Sequence, residues 1–293
     1  MLIDTFQSVL CCPLCSSGLT KGVHDFTCVN CKTEYSFFKE KLFLTRHETF
    51  LRHQEEVMQG LTNRIKAFLQ RFPRIYYVLY LVLTPIAPFG FTAKKALGFI
   101  PKDSGLIVNI GSGTRRIRSD VLNVDILPLS HVDIIADAAN LPFRDDSLDM
   151  VISEVTLEHL AEPQKAIQEM HRVLKPSGFI YVTAPFLYPF HESPNDYSRW
   201  TRNGFARELS CFRIIKIGIW SGPMTAFISF MKHFLAIMLS FGSRKVYFLL
   251  SYVFMVFLAP LKLLDPFFTI FAFSEDIASI FFFWGRKKSR EIR

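Results

Sequence analysis

Residues 105–125 read GLIVNIGSGTRRIRSDVLNVD. The apolar residues Leu106, Ile107, Val108 and Ile110 form the run of a buried strand. Gly111-Ser112-Gly113 follows at once. Glycines at the end of such a strand allow a tight turn and let the backbone approach a ligand closely. A second run, Val121 to Val124, ends in Asp125. An acid at the tip of the second strand is placed to accept hydrogen bonds from both hydroxyls of a ribose. Strand, GxG, strand and terminal acid together predict a nucleoside site. Gly111 and Asp125 are closer than the roughly twenty residues of a dinucleotide fold. The spacing therefore predicts a short helix between the two strands and counts against a dehydrogenase.

Three further segments extend the pattern. Asp137-Ala138-Ala139-Asn140-Leu141-Pro142-Phe143 follows a third apolar run, Val132 to Ile135. Ser147 to Ser153 leads into Leu157-Glu158-His159-Leu160, and Arg172-Val173-Leu174-Lys175-Pro176-Ser177-Gly178 precedes the apolar run Phe179 to Val182. As a set, over residues 103–220, these resemble the class I S-adenosylmethionine (SAM)-dependent methyltransferases of the type 11 kind. The resemblance implies an α/β, Rossmann-like, seven-stranded fold with SAM as cofactor. It implies that Asn109, Gly111, Ser112 and Gly113 pack against the methionine part. Asp125, with Ile126, would hold the ribose, and Asp137, with Ala138, the adenine. Glu154, after the fourth strand, would approach the transferred methyl. Two positions depart from the family: Asn109 stands where an acid is usual, and Arg115 replaces the third glycine of the loop.

Ahead of this core, Cys12-Pro13-Leu14-Cys15 and Cys28-Val29-Asn30-Cys31 are two CxxC turns a hairpin's length apart. Four thiolates so arranged suit a tetrahedral zinc ion, and leave no open position for catalysis. Cys12, Cys15, Cys28 and Cys31 are thus the predicted ligands of a structural zinc ribbon, similar to a Trm112-like segment. Cys11 is read as a spectator able to exchange with Cys12. Paired thiolates of this kind belong to a reducing cytoplasm, and the N-terminus lacks the basic region and apolar core of a secretory signal.

The chain divides by composition into a ribbon (1–40), a helical and partly apolar linker (41–102), the core (103–220), an apolar helical insertion (221–276), and a last strand with a basic tail (277–293). The run Ile75 to Ala93 carries no formal charge, but prolines break its second half. It is read as an apolar helix in a membrane interface or packed on the C-terminal region. Phe212 to Trp220 and Ala278 to Trp284 read as the last two strands of one sheet, the final one antiparallel. An insertion between two strands of one cytoplasmic sheet crosses a bilayer an even number of times or not at all. Lys232, His233, Lys262 and Asp265 interrupt its apolar helices, and such charges are costly in hydrocarbon. An in-plane or re-entrant hairpin fits better, placing the protein peripherally or monotopically on the inner membrane face. A helical cap or a dimer interface is the alternative.

The acceptor side falls in PFLYPFHESPNDYSRW, which combines His191, Glu192, Asp196, Tyr197, Arg199 and Trp200. Loops at the carboxyl ends of parallel strands are where such folds put ligands. A hydroxyl acceptor would need a base, for which His191 is the candidate and Glu154 or His159 the alternatives. The plain structural alternative is a connector whose polar groups, Thr201 and Asp196, cap the helix at 201–209. The net charge of +8 favours an anionic partner. The function expected is methyl transfer to a small-molecule, glycan or lipid-linked acceptor at the membrane. RNA methylation through the ribbon is the second reading, since a CPLC ribbon before such a core is similar to the large-subunit rRNA guanine methyltransferases. A non-catalytic scaffold is the third.

Overall fold

The computed structural model describes residues 2–23, 25–38, 40–45, 86–191 and 195–288. The N-terminal segment forms helix α1 (Leu2–Phe6) and strands β1 (Leu19–Lys21), β2 (Asp25–Cys28), β3 (Glu34–Phe38) and β4 (Lys41–Phe43). The core contributes β5 (Ile107–Ile110), β6 (Val121–Asp125), β7 (Ile134–Ile135), β8 (Leu148–Glu154), β9 (Leu174–Pro185), β10 (Phe212–Ser221) and β11 (Ile280–Lys287). The described helices after the ribbon are α2 (Ala93–Ala96), α3 (Pro163–Val173), α4 (Arg202–Glu208), α5 (Pro223–Leu239), α6 (Arg244–Leu258) and α7 (Asp265–Phe268).

Core strands lie in the order β7-β6-β5-β8-β9-β11-β10. Those from β7 to β9 are parallel, and β11 runs antiparallel between β9 and β10. This is a Rossmann-like α/β sheet of seven strands with a reversed last strand. The sheet does not stop there, however. β4 pairs parallel with β7, Leu42 opposite Ile134 and Phe43 opposite Ile135, so the ribbon hairpins continue the same sheet to eleven strands. A two-residue β7 would otherwise be an open edge, and β4 covers it.

Alternate side chains go to opposite faces. Val108, Ile110, Leu122, Val124, Val151, Val182 and Phe283 pack on Met170 and Val173 of α3, Phe205 of α4, and Phe6, Leu10 and Phe26 of the ribbon. On the other face Ile107, Val121, Ile152, Tyr181, Phe282 and Trp284 meet Ala93, Ala96 and Leu97. Residues 46–85 lie outside the described residues, and with them most of the charged linker and of the uncharged run. The remainder of that run, 86–92, is not helical. The N–H groups of Phe89 and Gly90 donate to the Trp220 carbonyl. A Cβ at Gly90 would sit 2.0 Å from the Ile219 oxygen, so glycine lets this strap lie on β10.

The short helix expected between β5 and β6 does not form: residues 111–120 are turns and bends. Side-chain bonds to the backbone replace it. Arg116 donates to the carbonyls of Val121 and His131 and to Asp133. Arg118 donates to the carbonyls of Leu97 and Ile100 and to both Asp120 oxygens.

The insertion leaves and re-enters the sheet at one point. Ser221 lies opposite Ile280, and Ser279 N–H donates to the Ser221 carbonyl at 3.0 Å. Within it α5 and α6 pack as a hairpin. Asp265 is buried and accepts from Gly222 N, Met224 N, Thr225 N and Thr225 Oγ1. It caps the N-terminus of α5, a favourable place for an anion. Lys262 is also buried. These two groups therefore sit inside the hairpin, where burial disfavours both charged forms and, for Asp265, hydrogen bonds offset the cost. The outer face is apolar instead: Phe241 is 93% exposed and Phe257 75%. Arg244–Phe268 runs as 25 residues long and apolar enough, by length and composition, to cross a membrane.

Candidate active site

The predicted cofactor residues collect at the carboxyl ends of β5, β6, β7 and β8. Gly111 and Gly113 have φ of +66° and +58°, the left-handed region that glycine enters without strain. A Cβ on Gly111 would lie 2.3 Å from Thr156, whereas one on Gly113 would meet open space. Asp125 accepts from Gly113 N at 2.8 Å and Leu127 N at 3.0 Å. Burial raises its pKa, and these backbone bonds oppose the shift. A carboxylate offers about four acceptor positions, so these bonds do not exhaust it and capacity remains for a ribose hydroxyl. Ile126, half-buried, follows it directly.

Asp137 closes its own turn, its carboxylate accepting from Ala139 N at 2.8 Å, with Ala138 buried beside it. Asn109 is buried and its amide approaches Asn123 Oδ1 at 3.5 Å. Asn123 in turn donates to the carbonyls of Arg115 and His131, so a neutral amide pair fills the position where the family carries an acid. Ser112 Oγ is buried with no hydrogen-bond partner among the described residues. An orphaned hydroxyl in a glycine loop, a carboxylate with free acceptor positions and a cradle closed to a Cβ fit the polar methionine and ribose ends of SAM.

Glu154 ends β8. Its carboxylate lies 3.8 Å from the Arg115 guanidinium, and burial raises its pKa. The replacement of the third glycine by Arg115 thus supplies an ion-pair partner. Glu154 caps no helix. The next residue, Val155, has φ +53°, a strained position for a β-branched side chain, worth about 1–3 kcal/mol. Its N–H donates to the Thr183 carbonyl at 3.1 Å, which holds the bend in place.

The acceptor-side groups come from two neighbouring elements. Glu158 and His159 occupy a 3-10 turn, Leu157–His159, directly after β8, and His191 lies in the loop after β9. The His159 and His191 rings are 5.0 Å apart at 75°. Burial, with His159 nearby, lowers the His191 pKa to about 4, so its imidazole is neutral at pH 7. Burial raises Glu158 to about 8. Asp196 holds the loop: it accepts from His191 N at 2.8 Å and from Arg199 Nη2 at 2.6 Å. Arg199 also donates to the carbonyls of Tyr188 and Pro189, and Tyr197 N donates to the Glu158 carbonyl at 2.7 Å. Thr201 caps α4, accepting from Gly204 N; Asp196 does not share that role, because Arg199 and His191 take its oxygens. Glu192 lies outside the described residues. The structure therefore brings His159 and His191 together and pairs Glu154 separately with Arg115. Glu158 is the residue that the motif reading passed over. It sits in the same LEH triplet, but nothing in a triplet of that composition distinguishes a buried glutamate from a solvated one.

In the ribbon, Cys12 Sγ and Cys31 Sγ are 3.6 Å apart, and Cys15 Sγ and Cys28 Sγ 3.4 Å. All four sulfurs fall within 4.8 Å of one another, the crowding that a tetrahedral Zn–S shell of about 2.3 Å bonds requires. Cys11 is outside the cluster: its N–H donates to the Pro142 carbonyl. The ribbon also touches the loop bearing Asp137, because Asn140 Nδ2 donates to the Pro13 carbonyl and Arg144 N to the Val9 carbonyl.

A parallel sheet with this order, a glycine turn after its first strand and an acid after its second defines a class I nucleoside-binding fold. Residues 112–182 match a family described as a methyltransferase domain. The core of the chain is a class I SAM-dependent methyltransferase domain. A demethylmenaquinone methyltransferase of Renibacterium salmoninarum is 35% identical over 109 residues, 32% of this chain and 46% of that one. A tRNA (carboxymethyluridine(34)-5-O)-methyltransferase of Arabidopsis thaliana is 45% identical over 53 residues, 17% of this chain and 13% of that one. The matches thus span less than half the length of these relatives. Among solved structures, Haemonchus contortus phosphoethanolamine N-methyltransferase 2 with SAM has a TM-score of 0.45 at 17% identity, covering 76% of this chain and 60% of that one. A Haloferax volcanii complex of the Trm112 methyltransferase activator has 0.45 at 15% identity, covering 80% of this chain and 100% of that one.

Proposed function

We propose that the protein is a SAM-dependent methyltransferase whose acceptor is a glycan or lipid-linked small molecule at the cytoplasmic face of a membrane. The observation that carries the enzyme reading is the Asp125 carboxylate, held by Gly113 N and Leu127 N at the mouth of a glycine turn. It leaves acceptor positions for a ribose, and Asp137 stands after the next strand. When bound, SAM supplies a methyl carbon on a sulfonium. The residues of this chain position it, and Asp196 and Arg199 fix His191 on the acceptor side. Much of the acceleration comes from holding two reactants in line and excluding water. His191 is neutral and available to a hydroxyl acceptor's proton; His159, beside it, and Glu154 are the alternatives.

The membrane part rests on the exposed apolar face of the α5–α6 hairpin; large exposed apolar faces mark membrane or protein contacts. Relatives named for demethylmenaquinone support a small-molecule acceptor. The four thiolates are inferred to hold a structural zinc ion that fixes the ribbon. RNA methylation is the second reading, favoured by the net charge of +8; the phenylalanine-rich hairpin weighs against it, because an RNA surface interleaves basic residues with a few aromatics.

Calorimetric titration with SAM in detergent, on the wild type and Asp125→Ala, tests the reading. Binding that the variant loses supports it. Equal binding by a well-folded variant removes the nucleoside assignment, and no binding by the wild type transfers weight to a scaffold role.

A further inference from the structure

We propose that Glu158, His159 and His191 hold a divalent transition-metal cation on the acceptor side of the SAM cradle, and that this cation binds a hydroxyl oxygen of the acceptor. The proposal rests on the methyl-transfer reading and deepens it. One ligand atom from each residue lies within 4.8 Å of the other two. Two imidazoles and a carboxylate suit a first-row divalent ion and leave coordination positions open. The groups come from the turn after β8 and the loop after β9, adjacent parallel strands whose carboxyl ends face the ligand side of the fold.

The glutamate supplies an independent observation. Glu158 is 0% exposed, and neither carboxylate oxygen has a hydrogen-bond partner among the described residues. His159 Nε2 lies 3.9 Å from Glu158 Oε1, beyond hydrogen-bond distance. A buried, unpartnered carboxylate is costly in either protonation state. Its surroundings are otherwise satisfied: the guanidinium of Arg199 is engaged by Asp196, Tyr188 and Pro189. The fold bonds Asp196 completely and leaves the neighbouring Glu158 carboxylate without a hydrogen bond from the described residues.

The orientation of His159 agrees. Its Nδ1 is hydrogen-bonded to the Asn195 carbonyl, an acceptor, so Nδ1 carries the hydrogen. Nε2 is thereby turned to the side of Glu158, 3.9 Å from its Oε1. A carbonyl behind the imidazole is the usual support of a metal-bound histidine. His191 meets this ring edge-on from the opposite loop.

A hydroxyl bound to such a cation ionises more readily. Its proton leaves to water, its oxygen bonds to the methyl carbon, and the sulfonium S–C bond breaks with its electron pair on sulfur. The products are a methyl ether, S-adenosylhomocysteine and a proton. His159 and His191 then act as ligands in place of a protein base.

Manganese titration of the full-length protein in detergent, followed by the EPR signal of free Mn2+, tests this. The protein is prepared so that metal analysis finds no more than one zinc ion per chain and the thiolates rather than the weaker-binding second site hold it. The wild type should take up one manganese ion per chain, and Glu158→Gln and His191→Ala should each lose it. SAM affinity, measured alongside by calorimetry, should stay within about threefold in both variants. If Glu158→Gln does not fold, His191→Ala in the surface loop gives the same readout. No uptake by the wild type, or uptake retained by a folded variant, overturns the proposal and leaves Glu158 as a protonated acid. Failure of the wild type to bind SAM would instead overturn the methyl-donor reading, whatever manganese does.

Discussion

Gly111 and Gly113 look alike in sequence and differ in what surrounds them. Both need a positive φ, which costs a residue with a Cβ about 1–2 kcal/mol. Only at Gly111 does a Cβ also collide, 2.3 Å from Thr156. Thr156 Oγ1 in turn approaches the carbonyls of Ile110 and Glu154, so a displaced threonine disturbs the ends of β5 and β8 together. Gly111→Ala should destabilise by more than about 3 kcal/mol and abolish SAM binding. Gly113→Ala should cost about 1–2 kcal/mol and keep measurable binding. Thermal unfolding of the pair checks this, and equal losses would mean that Thr156 yields freely. The sequence carried the glycines and the acids because turn chemistry and strand termini are local. Thr156 as the wall behind Gly111, Arg116 and Arg118 as substitutes for a helix, and Glu158 as a buried carboxylate were not legible. Each depends on a contact between segments, and a side chain-to-carbonyl bond leaves no period in the chain.

At the scale of elements, the ribbon joins the core at two places, the β4–β7 pairing and its N-terminal segment. Residues 9–13 touch the loop bearing Asp137 through three: Cys11 N to Pro142, Arg144 N to Val9, and Asn140 Nδ2 to Pro13. Cys12→Ser with Cys28→Ser should release zinc and loosen residues 10–38. It should also weaken SAM binding several-fold through the Asp137 loop, with the Asp125 side intact. Metal analysis and calorimetry on the same sample check both effects; unaltered SAM affinity would show the ribbon to be energetically separate. In the hairpin, Asp265→Ala would strip the acceptor from three buried N–H groups and one hydroxyl. A loss of about 3 kcal/mol is expected. Hydrogen exchange should quicken at residues 222–229 and stay slow at 107–110. The apolar runs marked both helices in advance, but the cap joins residues over forty positions apart, and composition alone read Asp265 as an intruder in lipid. The parallel β4–β7 join was likewise hidden, because a three-residue strand is too short to show a periodic pattern.

The whole molecule is governed by where the insertion begins and ends. Ser221 and Ile280 are paired across neighbouring strands, about 5 Å apart. Both ends of the insertion are therefore fixed to one side of any bilayer. It can lie in the interface or loop through it and return, but it cannot leave the sheet's two strands on opposite sides. The same adjacency makes the insertion removable: a short glycine-rich turn in place of residues 222–278 spans the gap as a hairpin does. That variant should be soluble without detergent, bind SAM as the full chain does, and ignore vesicles. The full-length protein should sediment with vesicles containing anionic lipid. Salt separates the two ways it could do so. At 1 M the Debye length is about 3 Å, so attachment through Arg244, Lys245 and the net positive charge alone would be released. Attachment through Phe241, Phe257 and their neighbours should persist, because burial of apolar surface is not screened and salt does not weaken it. Full-length protein that stays in the supernatant at low salt would show that the apolar face is covered by protein and not by lipid, and a deletion variant that still sediments would place the attachment outside the insertion.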